Sequence, residues 1–115
     1  MNDLDEIKEK LRQFAMARDW DQFHSPKNLS MALAGEVGEL IELFQWLTEE
    51  QSNNLSREQR GAVEEEVADV FLYLLRLADK LGVDLLKAAN NKIIINEQKY
   101  PVDKVKGSPK KYTEY

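Results

Sequence analysis

The sequence predicts an all-α fold, a four-helix bundle, and three observations carry that expectation. Apolar residues recur at helical spacing in four stretches separated by short polar or Pro/Gly-containing connections. Start and stop signals stand at their ends: Ser25-Pro26, the Ser56/Gln59 pair, Gly82 and Pro101. The third stretch is apolar on more than one side, which calls for several neighbours.

Composition bounds the rest. A chain of 115 residues fits a single domain, 1–115, with a modest core helped by oligomerisation. Hydrophobic residues at 43% argue for a folded chain, and a net charge of -5 argues against a general binder of nucleic acid polymers. The absence of cysteine excludes a disulfide framework and thiolate chemistry. With no signal peptide and no apolar run of membrane-spanning length, a soluble cytoplasmic protein is expected.

The first helix starts on Asp3 as N-cap, with Glu6 three residues on. Leu4, Ile7, Leu11, Phe14 and Ala15 follow at helical spacing, and the helix ends near Arg18. The connection DWDQFHSPKN then carries Trp20, Phe23 and the single histidine, His24. Two readings stand for its aromatics: they plug the end of the bundle, or they wall a pocket that stacks on a flat ligand while His24 offers a hydrogen bond.

Ser25 as N-cap and Pro26 in the first turn start a second helix running to about Leu47. Its stripe is Leu33, Val37, Leu40, Ile41, Phe44 and Leu47, widened by Ala32 and Leu43 on the side where Glu36 falls. Glu36 therefore points into an apolar flank, Glu39 lies at the stripe's edge, and Glu42 is an ordinary solvated charge. Trp46 projects off the stripe and suggests a second contact surface.

After the polar loop EEQSNNLS, the Ser56/Gln59 capping box opens a third helix that reaches about Leu81 and stops at Gly82. Val63, Val67, Val70, Phe71, Leu74, Ala78 and Leu81 form its stripe. Glu66 stands at one edge of it, Asp69 one turn along and Tyr73 between them in azimuth. A fourth helix runs from after Asp84 towards Tyr100, with Lys92, Asn96 and Lys99 on one face. From about residue 101 the chain reads as an extended arm containing Lys104, Lys106, Lys110 and Lys111, which serve solubility or reach a triphosphate on a neighbouring subunit.

The chemistry lies in the acids. A buried carboxylate is costly unless a cation or strong hydrogen bonds meet it. An E-x-x-E pair alone is satisfied by snorkelling to water or by a Lys or Arg partner. Two acidic pairs, Glu36/Glu39 and Glu66/Asp69, change the balance: on antiparallel helices four carboxylates converge, and a divalent cation relieves their repulsion. Mg²⁺ suits an all-oxygen site completed by water and phosphate. A di-iron bundle requires E-x-x-H pairs, and His24 is nowhere near that spacing. The competing class is a non-catalytic helical oligomeric interaction protein with a structural cation site.

EVGEL at 36–40 and EEEVADV at 64–70 resemble the E-x-x-E and E-x-x-D signature of the all-α MazG-like nucleotide pyrophosphohydrolases. RDWDQFHSPKNL at 18–29, ELFQW at 42–46, DVFLYL at 69–74, NEQKYPV at 96–102 and the final KYTEY extend the resemblance to the dCTP pyrophosphatase branch over nearly the whole chain.

The resemblance implies Mg²⁺-dependent hydrolysis of a nucleoside triphosphate, dCTP or a modified dCTP, to the monophosphate and pyrophosphate, a role in nucleotide-pool sanitation. It implies metal ligation by Glu36, Glu39, Glu66 and Asp69, with Trp20, His24 and Trp46 near the base and Tyr73 near the sugar or phosphates. Lys92 and Asn96 would lie near the phosphate chain, with Lys92 stabilising the leaving pyrophosphate, and dimers or paired dimers would complete each other's sites. Gly35 stands where the broader signature often carries a third acid, which leaves Glu36 and Glu39 as the carboxylates available as general base.

Overall fold

A computed structural model describes residues 2–109, and every element among them is helical. In chain order these are α1 (Asp3–Ala17), a 3-10 turn (Asp21–Phe23), α2 (Pro26–Glu42), α3 (Glu49–Ser52), α4 (Arg57–Leu81), α5 (Leu85–Lys99) and α6 (Val102–Val105). The chain divides into two compact units, one ending at Gly82 and the other beginning at Val83.

Caps account for most of the boundaries. Asn2, not Asp3, caps α1: its side chain accepts the Asp5 N–H at 2.8 Å, and the Asp5 carboxylate accepts the Asn2 N–H at 3.2 Å. The box is thus one residue earlier than the Asp3/Glu6 spacing suggests. Ser25 accepts the Asn28 N–H at the head of α2, with Pro26 at the first helical position, where its missing N–H costs nothing. Ser56 and Gln59 form the box of α4, and Gly82 closes that helix at φ 67, a left-handed conformation natural to glycine.

Three expectations differ in detail. α2 ends at Glu42 and not near Leu47, because the chain tightens into turns in which the Leu43 and Phe44 N–H groups donate to Leu40 and Ile41. The stretch after Leu47 is not plain loop, since Thr48 and Gln51 make a further capping box that starts α3. Pro101 ends α5 as expected but then caps the short α6, so the segment beyond it is not wholly extended. Lys110, Lys111 and KYTEY lie outside the described residues.

In the first unit α2 packs along α4, and α1 also packs against α4. His24, just ahead of α2, reaches Arg76, whereas Glu36 and Glu39 meet Glu66, so α2 and α4 run antiparallel. The core is small: Leu29 and Leu75 are fully buried, with Ala15 and Ala78 nearly so. The inward face of α2 is Leu29, Ala32, Leu33, Glu36, Leu40 and Leu43, all buried or half-buried, while Val37 and Ile41 are exposed. That face is rotated from the expected stripe towards Glu36. Val67, Leu74 and Leu81, spaced every seven residues on α4, are likewise exposed.

Between α1 and α2 the chain turns through Asp19, whose φ of 54 is unusual for a residue other than glycine. Aspartate tolerates this conformation, and the Gln22 amide holds it by donating to the Asp19 carbonyl at 2.9 Å and its carboxylate at 3.0 Å. The turn delivers Trp20 against Phe14, edge to face, with ring centroids 5.8 Å apart. Arg18 lies over the other ring of that pair, 3.6 Å from the Phe14 centroid.

Candidate metal and nucleotide site

Glu36, Glu39 and Glu66 each place a carboxylate oxygen within 4.8 Å of the other two. The i, i+3 spacing puts the first pair on adjacent faces of α2, and α4 brings Glu66 across the seam. Glu36 Oε2 and Glu66 Oε2 are both buried and have no hydrogen-bond partner. Buried anionic oxygens without partners are among the costliest groups a fold can carry.

Burial first, then the neighbouring carboxyls of Glu39 and Glu66 and the charge of Asp69, push the Glu36 carboxyl up to about 7. Glu66 is raised as well, again chiefly by burial, with the Glu39 and Asp69 charges adding to it. The set is all oxygen, clustered and short of positive charge, which fits a hard divalent cation: Mg²⁺ holds oxygens at about 2.1 Å, so opposite ligands lie about 4.2 Å apart. A Cβ built on Gly35 meets nothing within 4 Å, so packing does not forbid a third acid at that position.

Asp69 is outside this trio. It lines a neighbouring cavity of about 500 Å³ together with Trp20, His24, Tyr73 and Arg76, floored by apolar side chains of α1. Trp20, 46% exposed, lines this cavity, whereas Phe23 is more exposed still and does not line it. Trp46 lies in the turns after α2, is 85% exposed and does not line the cavity. Lys92 and Asn96 are exposed on α5, in the second unit.

Arg76 is the residue that sequence reasoning missed. It is only 6% exposed, and its Nη2 donates to Asp21 at 2.6 Å. Asp21 also accepts from Lys80 at 2.6 Å, and Asp79 is gripped by both Nε and Nη2 of Arg12, at 2.8 and 2.6 Å. These cations hold both carboxyls below the usual range, through Lys80 first at Asp21 and Arg12 first at Asp79. The network fastens α1 and the 3-10 turn to α4, and so fixes the cavity wall. A cation within the apolar run LYLLRL, three and seven residues beyond Tyr73 and Asp69, was the available signal.

Comparison with known proteins agrees with this geometry. Residues 31–115 match the model of the MazG-like family. Human dCTP pyrophosphatase 1 is 46% identical over 113 residues, and the bovine protein of the same name is 45% identical. Each alignment covers 96% of this chain, which spans 66% of the human relative's length and 67% of the bovine one's. The crystal structure of a pyrophosphatase from Archaeoglobus fulgidus matches with a TM-score of 0.82 at 38% identity, over 88% of this chain and 94% of that one. A family match across most of the chain, a shared helical fold and a carboxylate trio built from the two signature helices lead to one assignment: the chain belongs to the MazG-like family.

Proposed function

We propose that this protein hydrolyses a nucleoside triphosphate, dCTP or a modified dCTP, to the monophosphate and pyrophosphate, with Mg²⁺ held by Glu36, Glu39, Glu66 and Asp69. The observation that carries the proposal is the carboxylate trio with two buried, partnerless oxygens beside an aromatic-walled cavity. The names of the mammalian relatives support the choice of base.

When bound, the cation supplies positive charge to the phosphoryl oxygens and acidity to a water. The chain's own residues do the rest. Glu36 or Glu39 acts as the general base while also touching the metal, Glu39 being the more exposed of the two. Trp20 stacks on the base and His24 meets its edge, while Tyr73 bounds the sugar or phosphates from α4. Lys92 and Asn96 supply a donor face for the phosphate chain, and Lys92 stabilises the leaving pyrophosphate. Trp46 reaches the base from outside this cavity.

We infer that the chain self-associates as a dimer or tetramer, folding as a four-helix bundle whose exposed apolar stripes are covered by a second copy. Val67, Leu74 and Leu81 on α4, with Val37 and Ile41 on α2, support this. The deciding experiment is pyrophosphate release from a panel of nucleoside triphosphates with and without Mg²⁺. Release from none of them would favour the non-catalytic interaction protein instead.

A further inference from the structure

A permanently charged donor is pressed against the ring of the sole histidine. Arg76 Nε donates to His24 Nδ1 at 3.3 Å. Its two terminal nitrogens are occupied by Asp21 at 2.6 Å and Asp79 at 3.5 Å, so the guanidinium is held from three sides and stays nearly buried. A guanidinium has donors only and does not deprotonate in proteins, so the ring nitrogen that faces it must present its lone pair. A neutral imidazole has one N–H, and with Nδ1 accepting, that proton resides on Nε2. A doubly protonated ring would set N–H against N–H.

The surrounding charges agree. Burial first, then the charges of Arg76 and Lys80 on α4, lower the His24 pKa, and only Asp21 on the 3-10 turn opposes them. Among the described residues Nε2 has no hydrogen-bond partner, while the ring lines the cavity shared with Trp20, Asp69, Tyr73 and Lys10.

The geometry points to Arg76 as a positioning residue that locks His24 in the Nε2–H tautomer, so that the cavity offers its occupant one hydrogen-bond donor at that ring and selects a heterocycle with a lone-pair acceptor there. The identity of the occupant rests on the proposed nucleotide chemistry; the tautomer does not. On a pyrimidine edge, N3 is an acceptor in cytosine and an N–H in uracil and thymine. A fixed donor therefore adds discrimination that a stacking wall lacks, because the wrong edge leaves two donors facing each other.

Because His24 is the only histidine, its nitrogens are read directly in a long-range ¹H–¹⁵N correlation spectrum of the nucleotide-free protein. The wild type is expected to show a protonated Nε2 and an unprotonated Nδ1 that persist below the ordinary histidine pKa of about 6.5. Arg76→Met is expected to show averaged tautomers and ordinary titration. An Nδ1–H ring or averaged signals in the wild type would overturn the proposal.

In steady-state kinetics, Arg76→Met should raise KM for dCTP about tenfold, the worth of one hydrogen bond, with much less change for dUTP and the loss in KM more than in kcat. Arg76→Lys should restore part of it. In a His24→Gln background, whose amide N–H needs no tautomer control, adding Arg76→Met should have little effect; an equal effect in both backgrounds would mean that Arg76 acts through structure alone and would overturn the proposal. Should Arg76→Met not fold, the wild-type and Arg76→Lys spectra and kinetics decide. A protein that hydrolyses no triphosphate refutes the proposed function, and the spectrum still decides the tautomer.

Discussion

Glu36 and Glu66 each bury a carboxylate oxygen without a hydrogen-bond partner, and they do so in the same place, across the seam between α2 and α4. Two such oxygens on facing helices destabilise the fold unless something else uses them, and their removal is accordingly the most direct test of function.

Glu66→Gln preserves volume and removes one negative charge from the cluster. Pyrophosphate release should fall by at least about a hundredfold, as when a transition-state electrostatic group is lost, while circular dichroism reports an intact fold. The melting temperature of the chelator-treated variant should rise above that of wild type treated the same way, because the burial cost of the Glu66 charge and its repulsion with Glu39 and Asp69 are relieved. A folded variant with full Mg²⁺-dependent activity would remove Glu66 from the site.

Mg²⁺ should stabilise the wild-type protein. A ligand at a hundred times its Kd contributes about 2.7 kcal/mol by mass action, which for a chain of this size is a rise of about ten degrees in a thermal melt. A non-hydrolysable triphosphate should add to it. Superimposable melting curves at saturating concentrations of both would count against the metal site.

The raised Glu36 pKa fixes the sign of the pH dependence in chelator. The folded state binds more protons than the unfolded chain between about 4.5 and about 7, so stability is fully present below the lower value and is lost as pH rises through the upper one. Glu36→Gln should flatten that slope. Asp21 and Asp79, with lowered pKa values, act in the opposite sense in a more acidic window, so a stability maximum is expected between the two. Melting temperatures rising steadily from pH 5 to 8 in chelator would contradict this.

Replacing Trp20 by Leu should lower kcat/KM for dCTP by roughly tenfold to a hundredfold, since aromatic stacking on a base is worth about 1 to 3 kcal/mol. Mg²⁺ binding should persist. Trp46→Leu tests a different claim, because that ring is almost wholly exposed and its loss should change stability by less than about 0.5 kcal/mol. A comparable activity loss there would mean that the base is completed from beyond the cavity; unchanged activity would confine recognition to Trp20, His24 and Tyr73.

Sedimentation should report a dimer or tetramer, and Leu74→Glu or Ile41→Glu should shift it towards monomer by placing a charge on an apolar stripe. A monomeric wild type would leave those stripes without the partner proposed for them.

Much of this molecule was readable in advance. The Ser25-Pro26 and Ser56/Gln59 starts and the Gly82 stop came from cap chemistry, which is local and therefore visible in a short window. Glu36 stood out because a charge interrupts an apolar face. The inward face of α2 was less legible: Val37 and Ile41 are as apolar as Leu33 and Leu40, and periodicity alone does not say which apolar surface the chain itself covers. Arg76 escaped for a simpler reason. Its partners, Asp21 and His24, are remote in sequence, and only the antiparallel pairing of α2 with α4 brings them to it.

The helix α4 also acts as a ruler. Glu66, Asp69, Tyr73 and Arg76 all stand on it, and at about 1.5 Å per residue the first and last are about 15 Å apart along the axis. The spacing between the acidic cluster and the histidine-bearing wall is thus set by covalent helix geometry and not by loops that could drift. Substitutions on its solvent side leave that length untouched, whereas inserting one residue between Glu66 and Arg76 would lengthen it and swing one end about 100° around the axis. In this stretch the chain can tolerate changes of letter far more readily than changes of count.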